Sequence, residues 1–399
     1  MGGYVGHIQY LHEDFDLTFG TLKHILRLLA TGNINTVEKF DGLNLMCSWD
    51  PLTNKSMFAR GIGDMREPAA NTEELAKRFS KHPYVEEAFK CAFVAFDNAL
   101  KQIDDRVRTN MFVNAAGHNV WYSMEVLYGP ACNVIKYDHN ALIMHSWPIV
   151  AIDMHNNVYE STAPGMYEFI DHFRRTCTWN KWEMCGPMHK CLRIMNCGVK
   201  LQQVCDRIDT IINTESLNDT STIGDLIAQR LEKVLRLHPT VHFSENECRM
   251  IIERCIFGKP SLTNIKCGMS KIKGTTASTF VKYSHAFIRD VITKELAHII
   301  NDFARDLLEG HTSALIQNPL TEMTRVDVTL NWKIDTIKKM PAGLERDAAL
   351  QHVEAFRKLG GLCSAALEGV VFAHAGKVYK LTGAFGSINQ ILGTFRYRR

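Results

Sequence analysis

Val37-Glu38-Lys39-Phe40-Asp41-Gly42 ends a β-type segment on a lysine and follows it with a short turn built around a glycine. Ile34 to Lys39 and Leu43 to Trp49 have the β-branched and apolar residues of strands, and Phe40-Asp41-Gly42 separates them. Lys39 therefore falls at a strand end, where its side chain can point into a cleft. An amine there is a nucleophile only when partly deprotonated, against a reference pKa of about 10.4. Burial and neighbouring cations are what lower that value.

Upstream, Phe19, Leu22, Ile25, Leu26 and Leu29 recur at three-and-four spacing, which predicts a helix over residues 19–31 stopped by Gly32. Downstream, residues 73–103 read as helix, with Ala76, Phe79, Val85, Phe89, Phe93 and Phe96 turned to the core. Strand patterns return at Asn119 to Tyr128 and Leu142 to Asp153. The texture then becomes helical. Its clearest stripe is Phe280, Tyr283, Phe287, Val291, Ile299, Phe303 and Leu307, ended by Gly310, and Leu344 to Leu359 repeats the pattern. Leu367 to His374 and Lys377 to Thr382 then form a hairpin over Ala375-Gly376.

Strands, a long helical block and strands again imply an α+β chain whose sheets are completed from both ends. The expected division is a core of residues 1–158 and 361–399 around a mostly α-helical inserted domain, residues 159–360. Such an arrangement predicts a cleft lined by residues distant in sequence, and Lys39, Glu125, Glu368 and Lys380 are the ones expected to converge there.

Composition sets the outer limits. The chain has 399 residues, 46% hydrophobic and 22% charged, enough for a large core. The weakly charged stretch Ala141 to Ile152 is interrupted by His145, Ser146 and Pro148 and falls short of the roughly 20 residues of a membrane helix. Met1-Gly2-Gly3-Tyr4 opens no basic-then-apolar leader, so the expectation is a cytoplasmic protein with no membrane partner. Twelve cysteines in a chain this long suggest reduced thiols. Cys177, Cys185, Cys191, Cys197 and Cys205, with His189, lack the CxxC pair of structural zinc sites and read as free thiols. A net charge of +3 is too small to announce nucleic-acid binding, so any such footprint is local. Arg249, Arg254, Lys259, Lys266, Lys271 and Lys273, and the tail Arg396-Tyr397-Arg398-Arg399, are either that footprint or solvated surface.

Taken in order, these pieces resemble the covalent nucleotidyltransferase superfamily, which contains ATP-dependent DNA and RNA ligases and capping guanylyltransferases. Lys39-Phe40-Asp41-Gly42 looks like its KxDG acceptor motif. Arg60, in Ala59-Arg60-Gly61, stands where these enzymes place a nucleotide-contacting arginine. Glu125 within Ser123 to Gly129 resembles the acidic strand motif, and Ile149 to Asp153 the strand that follows it. Glu368-Gly369-Val370-Val371 is similar to the EG-hydrophobic-V motif, and Tyr379-Lys380-Leu381 to the closing lysine motif. The resemblance covers residues 30–155 and 362–385 and is silent on the helical block.

What the resemblance implies is a nucleotidyltransferase core of antiparallel sheets with flanking helices, and ATP and Mg²⁺, with Mn²⁺ as substitute, as cofactors. Lys39 would attack the α-phosphorus of ATP in line with departing pyrophosphate, leaving lysyl-AMP. Lys380 would stabilise the developing charge, with Lys377 as helper, and the same positive field would lower the pKa of Lys39. Glu125 is cast as the ribose acceptor and Glu368 as the metal ligand. Glu38, Asp41, Gly42 and Arg60 complete the nucleotide-binding set, Gly42 by letting the nucleotide approach closely.

Two departures from the family pattern matter. Ile149 and Ile152 stand where an aromatic residue usually stacks on the purine, and Lys377-Val378-Tyr379-Lys380 replaces a KxK motif. The few residues after Lys380 leave no room for an OB-fold. The RNA ligase branch, as found in bacteriophages, is therefore the expectation, its partner a polynucleotide with 5′-phosphate and 3′-hydroxyl ends. The alternatives are a DNA ligase with a helical domain in place of the OB-fold, and a nucleotide-binding protein of this fold that does not seal.

Overall fold

The computed structural model describes residues 8–80, 83–129, 139–161, 182–186, 200–236, 292–309 and 367–382, with short stretches between them. Helix α1, Phe19–Ala30, follows from the apolar spacing: Phe19, Leu22, Ile25, Leu26 and Leu29 are fully buried. Each such burial is worth about 1.5–3 kcal/mol before conformational entropy is set against it. Thr18 caps the first turn by accepting from the Thr21 N–H, and Gly32, at φ +70°, ends the element.

The strands form two sheets. In the five-stranded sheet the order is β1 (Gln9–Tyr10), β11 (Lys377–Leu381), β10 (Gly369–His374), β2 (Thr36–Lys39) and β9 (Cys191–Leu192). In the six-stranded sheet it is β4 (Lys55–Ala59), β3 (Leu43–Asp50), β5 (Asn119–Leu127), β6 (Asn140–Ile152) and β7 (Val158–Glu160), with β8 (Trp182–Cys185) also paired to β6. Pairing is antiparallel except for β1 with β11 and β6 with β8. The chain is thus mixed α+β with mainly antiparallel sheets.

Phe40-Asp41-Gly42 is not a hairpin turn. It carries the chain from β2 in one sheet to β3 in the other, so Lys39 sits where the two sheets meet. The C-terminal hairpin is as its pattern implied. Ala375 and Gly376 have φ +48° and +78°, the left-handed pair that matches a two-residue turn to strand twist.

Residues 73–103 contain two helices, α2 (Thr72–Phe79) and α3 (Pro83–Leu100). Phe89, Phe93 and Phe96 of α3 pack on one face of the six-stranded sheet with Phe58 and Tyr122, while Leu75 takes the buried place assigned to Ala76. Three helices of the later block are described: Leu201–Thr214, Ile223–Arg236 and Lys294–Leu308. Their apolar faces share one core with α1 and with Val370, Phe372, Tyr379 and Leu381 of the five-stranded sheet. In the same block, β8 and β9 extend the two sheets. The helices therefore brace the back of one sheet instead of packing apart from it. Of the long apolar stripe, Ile299, Phe303 and Leu307 are buried; Phe280, Tyr283, Phe287 and Val291 lie outside the described residues, as does most of 344–359. Among the described residues no helix is long and apolar enough to cross a membrane.

Candidate active site

Side chains alternate across a strand, and directly paired residues share a face. Lys39 is opposite Gly369, Val37 opposite Val371, Val371 opposite Lys380, and Lys380 opposite Tyr10. Lys39, Lys380 and Tyr10 therefore occupy one face of the five-stranded sheet. The other face carries Thr36, Glu38, Val370, Phe372, Tyr379 and Leu381 and is the one covered by helices.

Glu368, just before β10, is brought to Lys39 by this register and accepts its ammonium in a direct ion pair. A quarter of the Lys39 side chain is exposed, while Glu368 is buried. Glu125 comes from the other sheet, opposite Asn44 and Ile143, and its Oε2 lies 3.3 Å from His145 Nε2. Asp41 is buried; its Oδ2 accepts from the Ile135 N–H at 3.0 Å, and its own N–H donates to the Tyr137 hydroxyl at 2.8 Å.

Gly42 has no space for a side chain. A Cβ would meet Glu125 Cγ at 2.6 Å, Leu127 Cδ2 at 2.7 Å and the Val126 carbonyl at 2.9 Å. The glycine serves the close approach of the crossover to β5, which seats Glu125. Tyr137, His145 and Tyr10 carry no sequence signal of a site: two lie outside any long periodic run and His145 interrupts an apolar one.

The remaining candidates stand elsewhere. Glu38 points to the opposite face from Lys39. Lys377, three residues before Lys380, is also on that face and pairs with Asp14 at 2.8 and 2.9 Å, beside the Tyr379 hydroxyl, which donates to Asp14 at 2.6 Å. Arg60, at the end of β4, donates to the Asn44 carbonyl and lies 5.6 Å from the Phe89 ring centre. Asp153 closes its own turn by accepting from the His155 and Asn157 N–H groups. Of the cysteine cluster, Cys185 and Cys191 belong to different sheets, and Cys205 is a free thiol.

Charge decides what the cluster can do. Burial pushes the Lys39 ammonium down, but Glu368, Glu125 and Asp41 outweigh it and hold its pKa above the ordinary lysine value. The expectation of a lowered pKa is thus reversed in the protein by itself, because carboxylates and not cations are its nearest neighbours. Burial raises Glu368 to about 8, helped by Asp41 and Glu125 and opposed by Lys39. Burial, then the Lys39 charge, lowers Lys380 to about 8. The pocket is short of positive charge around its carboxylates, since Glu368, Glu125 and Asp41 all act on the one Lys39 ammonium.

A divalent cation fits this shortage. Glu368 Oε2 is buried and has no hydrogen-bond partner among the described residues, a hard oxygen donor left open. Among those residues no group of three or more His, Cys, Asp or Glu side chains is set to hold a metal.

Compared with protein-family models, with curated proteins and with solved structures, the chain matches none.

Proposed function

We propose that this chain is a covalent nucleotidyltransferase that works as an ATP-dependent RNA ligase. The observation that carries the reading is the meeting of Lys39, Glu125, Glu368 and Lys380, supplied by two sheets and by both halves of the chain, around a single amine. In this reading the two sheets are the nucleotidyltransferase core and the helical block is its insertion, sharing the core of the five-stranded sheet.

Once the Lys39 ammonium has given a proton to solvent, its Nζ forms a bond to the α-phosphorus of ATP as the bond to pyrophosphate breaks, and a second proton then leaves the nitrogen to solvent to give the phosphoramidate. Lys380, on the same sheet face, stabilises charge developing on the phosphoryl oxygens. Glu125, held by His145, accepts from a ribose hydroxyl. Glu368 would hold Mg²⁺ through Oε2, and the ion when bound supplies charge neutralisation for the phosphates. Lys39-bound AMP then passes to a 5′-phosphate, and attack by a 3′-hydroxyl seals the ends with release of AMP. The polynucleotide substrate, RNA before DNA, comes from the resemblance of the motifs.

The test is incubation of purified protein with Mg²⁺ and α-labelled ATP or GTP, followed by denaturing electrophoresis. Label retained from ATP is the expected result, and parallel reactions on single-stranded RNA, nicked RNA and nicked DNA identify the substrate. Retention of label only from GTP points to a capping-type enzyme. No label from either nucleotide overturns the reading in favour of a binding protein.

A further inference from the structure

The N-terminal strand contributes to the same sheet face, and nothing in the motif pattern accounts for it. β1 has only two residues, yet it pairs in parallel with β11 and sets Tyr10 opposite Lys380. Lys380 Nζ lies 4.3 Å from the centre of the Tyr10 ring. Three contacts fix that ring. Its hydroxyl is 3.1 Å from Thr382 Oγ1, its backbone N–H donates to Glu13 at 2.8 Å, and the His12 ring stacks on it at 5.3 Å and 17°. Burial holds His12 down to about 4, so the stacked ring is neutral and adds no repulsion to Lys380. On the reverse face Asp14, four residues on, is gripped by Lys377 and Tyr379, so the segment clamps β11 from both sides.

Lys380 needs such a holder. It is 3% exposed and faces a second ammonium, Lys39, and both facts disfavour its charged form. Glu13 and Glu368 oppose that loss. The negative face of an aromatic ring attracts an ammonium without contributing a formal charge or accepting its proton. A ring therefore steadies the cation without neutralising it, which a carboxylate in contact would not do.

We propose that Tyr10 is a positioning residue for Lys380: its ring face, backed by the stacked His12 ring, holds the ammonium on the Lys39 side of the sheet, where it meets the phosphoryl group. This role rests on the nucleotidyl-transfer reading, whereas the ring–ammonium hold does not, and the experiment separates the two.

Wild type, Tyr10→Phe and Tyr10→Leu are compared with protein carrying trifluorophenylalanine at position 10, which keeps the ring's size and weakens its negative face, so that a folding failure of the leucine variant does not decide the matter. Protein with carbon-13 at the lysine ε-carbon, the Lys380 signal assigned by its loss in Lys380→Arg, reports ring shielding and titration directly. Lys39 labelling by ATP reports function. The expected result is that Phe matches wild type within about twofold, while Leu and the fluorinated ring label about tenfold more slowly and titrate Lys380 at lower pH. Equal Lys380 titration and equal labelling in the phenylalanine and trifluorophenylalanine proteins overturn the proposal. A graded Lys380 titration in a protein that takes no label supports the hold and overturns the nucleotidyl-transfer reading.

Discussion

Lys39 and Gly369 stand directly opposite each other in the antiparallel pairing of β2 and β10, and this register places Glu368 against the Lys39 ammonium across 329 residues of sequence. A carboxyl in contact with a proposed nucleophile ties the chemistry of the site to its stability.

Lys39→Ala is expected to abolish the covalent label. It is also expected to destabilise the fold in a pH-dependent way, because it leaves a buried carboxyl without its ammonium. At pH 6 Glu368 is mostly protonated and the loss is small. At pH 9 an unpaired buried carboxylate remains, and the loss is about 1–3 kcal/mol, below the range for fully buried pairs because Lys39 is partly exposed. Urea denaturation at the two pH values measures the difference, and equal losses at both would refute the coupling.

Glu368 itself gives a second pH signature. Its folded pKa of about 8 lies above its ordinary 4.5, so the native state binds more protons than the unfolded state between those values. The stabilisation it contributes is therefore complete below about 4.5 and lost as pH rises through 8. Glu368→Gln should remove this slope and leave the variant about 1–3 kcal/mol more stable relative to wild type at pH 8 than at pH 5. Labelling should nevertheless fall, the trade of stability against activity common at functional sites. Thermal unfolding across the pH range, with labelling in parallel, checks both halves.

Much of this arrangement is legible in the chain. Periodicity locates α1, alternation and Ala375-Gly376 locate the closing hairpin, and the order of lysines and carboxylates identifies the four residues that meet. Sheet membership is not, because strand–turn–strand patterns look alike whether the turn folds back or crosses over, and pairing partners are non-local. Lys39 is the sharpest case: of the carboxylates that raise its pKa, Glu368 and Glu125 stand far away in sequence and only Asp41 is near. Tyr10 leaves no periodic trace in a strand of two residues. Lys377 is different. Three residues from Lys380, it had to face the other way on a strand, and alternation alone separates the two.

Gly42→Ala tests how tightly the crossover is built. The added carbon would strike the Val126 carbonyl as well as two side chains, and backbone cannot swing aside. The expected cost is about 1–3 kcal/mol, with Glu125 displaced and labelling reduced. Gly369→Ala should be worse, since its Cβ would come within 2.1 Å of the Leu381 carbonyl inside the β10–β11 ladder. Denaturation midpoints that rank Gly42→Ala as the more damaging change would contradict the described packing.

Lys380→Ala and Lys377→Ala then separate two lysines that the motif pattern groups together. Lys380 shares the sheet face of Lys39, and its removal should slow labelling by about 100-fold, as loss of a group stabilising transition-state charge does. Lys377 sits on the reverse face with Asp14, so its removal should leave labelling within about threefold and lower stability by about 0.5–1 kcal/mol, the Tyr379 hydroxyl still serving Asp14. Single-turnover labelling of both variants decides the matter. If Lys377→Ala lost as much as Lys380→Ala, the reactive phosphoryl group would have to lie on the Asp14 side of β11, and the face occupied by Lys39 would be the wrong one.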